Sequence, residues 1–312
     1  MDERIVGIDI SKAQLDVHVL PSGEHFTLAR DEAGLKALVK RLVKHVPRVV
    51  AMEATGGLEG PVTVALHEAG LPVRVVNPRQ VRDMARALGL LAKTDAIDAA
   101  VIARFAEVAK LTGAPVPDAQ ARQLAALVAR RRQLIGMATA EENRLQQASD
   151  KSIRRSIKRL LRSIEAELSD VDRDIDDAIK GSPLWCEVAH LLDEQAGVGP
   201  VTARTLVADL PELGRVSGKQ IAGLVGLAPH ARDSGARRGK RTIWGGRANV
   251  RSTLYMATLS AVRCDAVLEQ FHQNLIARGK PPKVALTACA RKLLVHLNAI
   301  VARFYAQIEQ TA

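Results

Sequence analysis

Aromatic residues are scarce in this chain: only 3% of its 312 residues are Phe, Tyr or Trp. Modules that read nucleic acid by stacking bases on exposed rings need more than that, so an RRM-like or OB-like reader is disfavoured. Cysteine is rarer still. Cys186, Cys264 and Cys289 are odd in number and lack CxxC spacing, which argues against a disulfide framework or zinc ribbon and fits a reducing, cytoplasmic setting. No apolar run approaches the length of a membrane span. The best amphipathic candidate, 286–308, is interrupted by Arg291, Lys292 and Arg303 and reads as a packed helix, so no membrane partner is expected. The start, MDERIVGIDI, carries acids where a signal peptide has a basic segment. Internal repeats and low-complexity tracts are also missing.

Positive charge is abundant, and it is segregated. The formal net charge is +11, which points to a polyanionic partner, either nucleic acid or a membrane surface. Residues 1–115 carry 15 Lys and Arg against 14 Asp and Glu, residues 116–214 carry 14 against 16, and residues 215–312 carry 16 against 4. The surplus lies in the C-terminal third, as expected of a contact surface; charge kept for solubility would be spread evenly.

Hydrophobic periodicity divides the chain. Residues 4–10, 15–20 and 25–29 alternate or run apolar as three strands, with a turn at Pro21-Ser22-Gly23. Leu35, Leu38, Val39, Leu42, Val43 and Val46 recur at helical spacing. Val49–Met52 predicts a buried strand, 61–69 a helix, Val73–Val76 another strand before Asn77-Pro78, and 95–110 a helix. The order βββ-α-β-α-β-α is that of an RNase H-like fold. Gly113-Ala114-Pro115-Val116-Pro117 reads as a linker. Residues 119–180 contain no proline, and Ile157, Leu161, Ile164, Leu168, Val171, Ile175 and Ala178 step by alternating four and three. That seam predicts a coiled-coil hairpin or a dimer arm in preference to a helix packed on its own domain. Residues 183–312 read as helical.

Four acids are candidates for metal. Asp9 interrupts the first apolar strand, where a carboxylate is costly unless compensated. Glu53 ends the fourth strand, a neighbour of the first in an RNase H-like sheet. Asp95 and Asp98 are spaced i, i+3 at a helix start, although Asp95 alone also suits a helix N-terminus behind Thr94. Converging carboxylates need cations, and hard oxygen donors suit Mg2+ or Mn2+ in phosphodiester chemistry. The run VGIDISKAQLDV also resembles the first phosphate loop of sugar kinases and actin-like ATPases, but their second phosphate motif and adenosine motif do not follow.

Two further features face phosphate. Gly197-Val198-Gly199 before Thr202-Ala203 resembles a helix-hairpin-helix turn, in which glycine backbone approaches a phosphate; a plain packing joint is the other reading. Residues 230–251, HARDSGARRGKRTIWGGRANVR, set Arg232, Arg237, Arg238, Lys240, Arg241, Arg247 and Arg251 against the single acid Asp233, with four glycines and Trp244 among them. A solvated loop is the ordinary reading of such a run; the glycines suggest close approach to phosphates. Ser234 beside guanidiniums is a candidate nucleophile, though spacing alone does not single it out.

Taken together, GIDISK, AMEATGG, VNPRQVR and KTDAIDA are similar to the N-terminal half of the IS110 (DEDD) insertion-sequence transposases. AGVGPVTA, GLVGLAP and DSGARRGKRTIWGGRANVRSTLYMA are similar to their C-terminal half. The resemblance spans nearly the whole chain in the family's order. It implies an α/β plus all-α architecture: an RNase H-like (RuvC-like) domain at 1–115, a coiled-coil helical arm at 116–182, and a helical transposase domain with a catalytic serine at 183–312. It also implies an RNA-guided recombinase, directed by a structured bridge RNA or seekRNA to donor and target double-stranded DNA. Asp9, Glu53, Asp95 and Asp98 map onto the family's metal-binding acids, and Ser234 onto the serine that becomes covalently linked to DNA. Gly197, Gly199 and the seven basic residues of 230–251 are the expected nucleic-acid contacts. Sites shared between protomers imply a dimer or tetramer. Two other functions fit parts of the pattern: a Holliday-junction-resolvase-like, metal-dependent endonuclease without a covalent intermediate, and a non-enzymatic nucleic-acid scaffold.

Overall fold

Alternation in the first thirty residues produces an antiparallel meander of β1 (Ile5–Ile10), β2 (Gln14–Leu20) and β3 (Glu24–Ala29). The computed structural model describes residues 3–90, 95–231, 233–235, 239 and 241–311, the side chains of 95–97 and 311 excepted. β4 (Val49–Glu53) lies parallel to β1, and β5 (Val73–Val76) parallel to β4, so the sheet runs β3-β2-β1-β4-β5. Between and after them come α1 (Glu32–His45), α2 (Glu59–Glu68), α3 (Pro78–Ala87) and α4 (Asp95–Val108).

A strand turns successive side chains to opposite faces, and both faces of this sheet are apolar. Val6, Ile8 and Ile10, with Val17, Val50 and Met52, pack against Leu38 and Leu42 of α1 and Val62 and Leu66 of α2. Ile5, Val49 and Ala51 pack on the other side against Val81 and Ala85 of α3 and Val101, Ile102 and Ala106 of α4. The sequence pattern assigns no element between Asn77-Pro78 and residue 95, yet α3 stands there. Its signals are local: the Asn77 side chain accepts from Arg79 N, and Pro78 occupies the first helical position.

The chain divides into two compact units, 1–117 and 118–312, at the end of the proline-containing linker. The second unit opens with α5 (Ala119–Gln147) and α6 (Lys151–Lys180), which pack against each other as a hairpin. Ile164, Val171 and Ile175 of the seam are buried against Leu124, Val128 and Leu134 of α5. The seam's partner helix is therefore in the same chain. Polar ties reinforce it, with Asp172 of α6 taking Arg131 of α5 and Arg204.

The remainder is helical: α7 (Pro183–Asp193), α8 (Pro200–Asp209), α9 (Gly218–Val225), a two-residue hairpin of β6 (Pro229–His230) and β7 (Thr242–Ile243), α10 (Ala248–Cys264), α11 (Ala266–Ala277) and α12 (Pro282–Thr311). One sequence expectation is corrected here. Among the described residues α12 is long and apolar enough, by length and composition, to cross a membrane. It is nevertheless a core helix: Ala285, Cys289, Ala290, Leu293, Leu294, Leu297 and Val301 are buried with Leu206, Ile221, Leu254 and Ala261.

Candidate functional site

In the first unit, register brings two of the predicted acids together. The parallel pairing of β1 with β4 ends with Ile8 opposite Met52, and Asp9 and Glu53 are the next residues along the two strands. Both follow the parity of Gly7 and Ala51 and so face α4. Contact with α4 is made possible at Gly7, where an added Cβ would lie 2.2 Å from Ala99 O and 2.4 Å from Ala103 N. Because Ile5 clusters with Ile102 and Ala106 while Gly7 meets Ala99 and Ala103, α4 runs antiparallel to β1. Its first turn, which Asp95 opens and which contains Asp98, lies toward the Asp9 end of the strand.

The turn after Glu53 is fixed by its own hydrogen bonds. Glu59 Oε2 accepts from Thr55 N and Gly57 N, each at 2.9 Å, and Thr55 Oγ1 donates to Glu53 O at 3.1 Å. Gly56 and Gly57 adopt φ of 68° and 103°, conformations that favour glycine. Asp9, Glu53 and Asp98 are half-buried, and none is a partnerless group. The side chain of Asp95 lies outside the described residues. Among the described residues no three His, Cys, Asp or Glu side chains gather as a metal-holding group. In chemistry the donor set fits a hard cation, being entirely carboxylate oxygen on one sheet face and the helix that covers it.

Sequence reasoning missed Asp16. It pairs directly with Asp9 across β1 and β2, on the same face, and is only 5% exposed. Thr27 Oγ1 donates to Asp16 Oδ1 at 2.6 Å, and His25 Nε2 stands 3.8 Å away. Beside them His18 faces His25; burial first, and the charge of His25 second, push the His18 imidazole below its ordinary value. The available signal was parity: in LDVHVL, Asp16 and His18 fall on the face that carries Asp9.

In the second unit the predicted basic segment is a loop between α9 and α10, closed by β6 and β7. Its base is tightly made. Gly226 ends α9 with φ 75°, and a Cβ there would lie 2.2 Å from Gly245 O. Gly246, φ 68°, would reciprocally meet Gly226 N at 2.2 Å. Arg251 Nη1 donates to Val225 O and Gly245 O at 2.9 and 2.7 Å, and Arg247 makes a two-pronged ion pair with Glu212 at 2.5 and 2.7 Å. Burial works to raise the Glu212 carboxyl, but hydrogen bonds and charge from Arg247 outweigh it and hold the group below its ordinary value. These two arginines brace the loop from within the protein.

Ser234 is exposed within this loop. Its neighbour Asp233 bridges the loop, accepting from Gly239 N at 3.0 Å and Arg241 Nη1 at 2.8 Å. The hydrogen bond from Arg241 holds the Asp233 carboxyl below its ordinary range. Trp244 is 63% exposed at the end of β7. Arg232, Arg237, Arg238 and Lys240 lie outside the described residues. Farther back in the chain, α10 packs directly against Gly197 (φ 79°), where a Cβ would lie 2.3 Å from Ala261 N. Gly199 caps α8, and a Cβ there would meet nothing within 4 Å.

Comparison with known proteins gives matches in both regions. Residues 6–151 match a family model described as "DEDD_Tnp_IS110: Transposase". Residues 189–273 match a second, described as "Transposase IS116/IS110/IS902 family". The chain is also 26% identical over 315 aligned residues to the "Pilin gene-inverting protein" of Moraxella bovis and to that of Moraxella lacunata, covering 96% of each pair of chains.

Proposed function

Because the chain belongs to the IS110 family of transposases, enzymes that cut and rejoin DNA, we propose that it breaks and reseals DNA strands through a covalent serine intermediate. The reading is supported by the parallel register of β1 with β4, which brings Asp9 and Glu53 to adjacent positions on the sheet face that α4 covers, in a chain that also carries the serine loop. The strand order supports an RNase H-like (RuvC-like) assignment for residues 1–115, and the α5–α6 hairpin supports an arm at 116–182 ahead of the transposase domain at 183–312. Asp9, Glu53, Asp95 and Asp98 would hold the divalent cation that a DEDD domain implies, Mg2+ or Mn2+, which supplies positive charge at the scissile phosphate.

The steps belong to the chain's own groups. Ser234 Oγ loses its proton and bonds to phosphorus, and a deoxyribose oxygen leaves with the electron pair of the broken P–O bond and takes up a proton. The phosphoserine conserves the bond, so the freed hydroxyl of an exchanged strand restores the phosphodiester and releases Ser234 without a nucleoside triphosphate. Arg241, together with Arg232, Arg237, Arg238 and Lys240 of the same sequence segment, would hold the backbone and offset charge on the phosphorane. Gly199 and the start of α8 offer a second phosphate contact. The gene inversion for which the two Moraxella relatives are named is one outcome of such cutting and rejoining.

Ser234→Ala is expected to abolish covalent protein–DNA adducts while duplex binding persists. Adducts at the unaltered level would overturn the serine assignment, and free ends without any adduct would mark a metal-dependent endonuclease instead. We extend the proposal to a guide RNA and to assembly as a dimer or tetramer on the strength of the family resemblance. Sequencing RNA that copurifies with the protein tests the guide, and the lack of one discrete structured species would overturn it.

A further inference from the structure

The α5–α6 hairpin conceals a charge split. Residues 116–214 are nearly neutral as a block, yet the first part of α6 carries Lys151, Arg154, Arg155, Lys158, Arg159 and Arg162 with no carboxylate among them, and acids begin at Glu165. Arg154 is used internally, where its Nη1 donates to Leu145 O and Ala148 O at 2.6 and 2.8 Å and closes the turn between the helices. The other five recur at i, i+4, i+7, i+8 and i+11 and so share one helical face. All five are exposed, on the side away from Ile164 and Leu168, which pack toward α5.

Among the described residues none of the five has a carboxylate partner. Elsewhere in the hairpin Arg131 pairs with Asp172, Arg132 with Asp209, Arg144 with Glu141 and Arg173 with Asp170. Helix stability does not explain such a stripe. Like charges three and four residues apart repel, and cations in the first turns oppose the helix dipole. A polyanion lying along the face reverses both penalties.

We infer that this face of α6 docks the phosphodiester backbone of double-stranded nucleic acid. The stripe extends about 16 Å along the helix, enough to meet a few successive phosphates of one strand. Its side chains are point or fork cations without Asn or Gln between them, so the surface positions a duplex and carries no base readout. The inference rests on the nucleic-acid partner proposed above and gives it a contact surface outside the basic C-terminal third.

The test uses the full-length protein with Arg155, Lys158, Arg159 and Arg162 all changed to Gln. Affinity for a duplex DNA and a duplex RNA of unrelated sequence is measured across a salt series, alongside thermal melting and oligomeric state. For at least one duplex, affinity is expected to fall by about tenfold or more, and the log–log salt slope to flatten by about 0.9 per lost phosphate contact. The melting temperature holds or rises, because repulsion is removed. The arm affected, DNA or RNA, identifies the source of the backbone. A companion variant, R155K/R159K/R162K, keeps the charge and is expected to keep the slope, which separates charge from packing. Unaltered affinity and slope for both duplexes in the Gln variant would overturn the inference. So would loss of self-association with duplex binding intact, since the acidic second half of another copy's α6 would then be the occupant. Failure of the unaltered protein to bind either duplex would sink the nucleic-acid reading itself, whereas equal binding by both proteins sinks only this surface.

Discussion

Asp9 and Glu53 stand on strands paired on both sides, whereas Ser234 is exposed in a loop whose base is tied by the β6–β7 pair, Arg251 and Arg247. The acids are positioned by the interior of an α/β layer, through many apolar contacts and a helix resting directly on glycine. The serine is positioned by a few polar anchors and two facing glycines. Oxygen donors to a cation need fixed spacing and gain from rigid elements. The proposed nucleophile would stand on a surface loop, the kind of segment that often carries binding and catalytic residues on a rigid scaffold. The two regions should therefore fail differently when disturbed.

The sharpest way to break that contrast is Gly7→Ala. Its methyl group would enter the backbone of α4 at Ala99 and Ala103, and α4 carries Asp98. DNA cleavage is expected to fall on the order of 100-fold, the scale set by small misplacements of reacting groups, with a stability loss of about 1–3 kcal/mol from overpacking. Near-normal cleavage in a folded Gly7→Ala protein would show that the helix is not what places the acids. Gly246→Ala is the counterpart in the loop. It strains a residue at φ 68° and meets Gly226 N, so adduct formation is expected to drop roughly tenfold, with about 1 kcal/mol lost to the left-handed backbone. Equal sensitivity of duplex binding and adduct formation in that variant would mean that the loop base shapes the binding surface and not the serine alone.

The same contrast explains what could be read in advance. The strands of the sheet were legible because period-two alternation and short apolar runs directly reflect burial on two faces. Asp9 stood out as the charged residue within such a run. Asp16 did not, because its significance depends on the register that sets it opposite Asp9. The helix α3 has too short an apolar pattern for periodicity to mark it, although Asn77, Pro78, Val81 and Ala85 carry a cap, a first-turn proline and a buried i, i+4 pair. The heptad seam in α6 gave the existence of a partner helix but not its identity, since both an intramolecular and an intermolecular partner satisfy the same spacing. In the basic loop, composition could not separate arginines that face solvent from those that brace the protein. Arg247 finds Glu212 and Arg251 finds Val225, 35 and 26 residues away. Gly197 posed the same difficulty: the close approach that its sequence advertises is met by α10 at Ala261.

The smallest expected effect bears on that bracing. Glu212 is held below its ordinary value of 4.5, so its ionised form is favoured by folding. That contribution is fully present above the unfolded value and is lost as pH falls through the lower, folded one. Glu212→Gln keeps the shape and removes the charge, leaving Arg247 with a weaker acceptor; a cost of about 1–2 kcal/mol at neutral pH is expected for the lost charge-assisted pair. Melting curves of the two proteins should converge as pH drops below about 4.5, because the unaltered protein surrenders there what the variant never had. If the loop depends on this anchor, adduct formation should fall only a few-fold in Glu212→Gln, less than in Gly246→Ala, since Arg251 still ties the loop to α9 through Val225 and Gly245. A stability gap that stays constant through the acid range would show that Arg247 is held by something other than the Glu212 carboxylate.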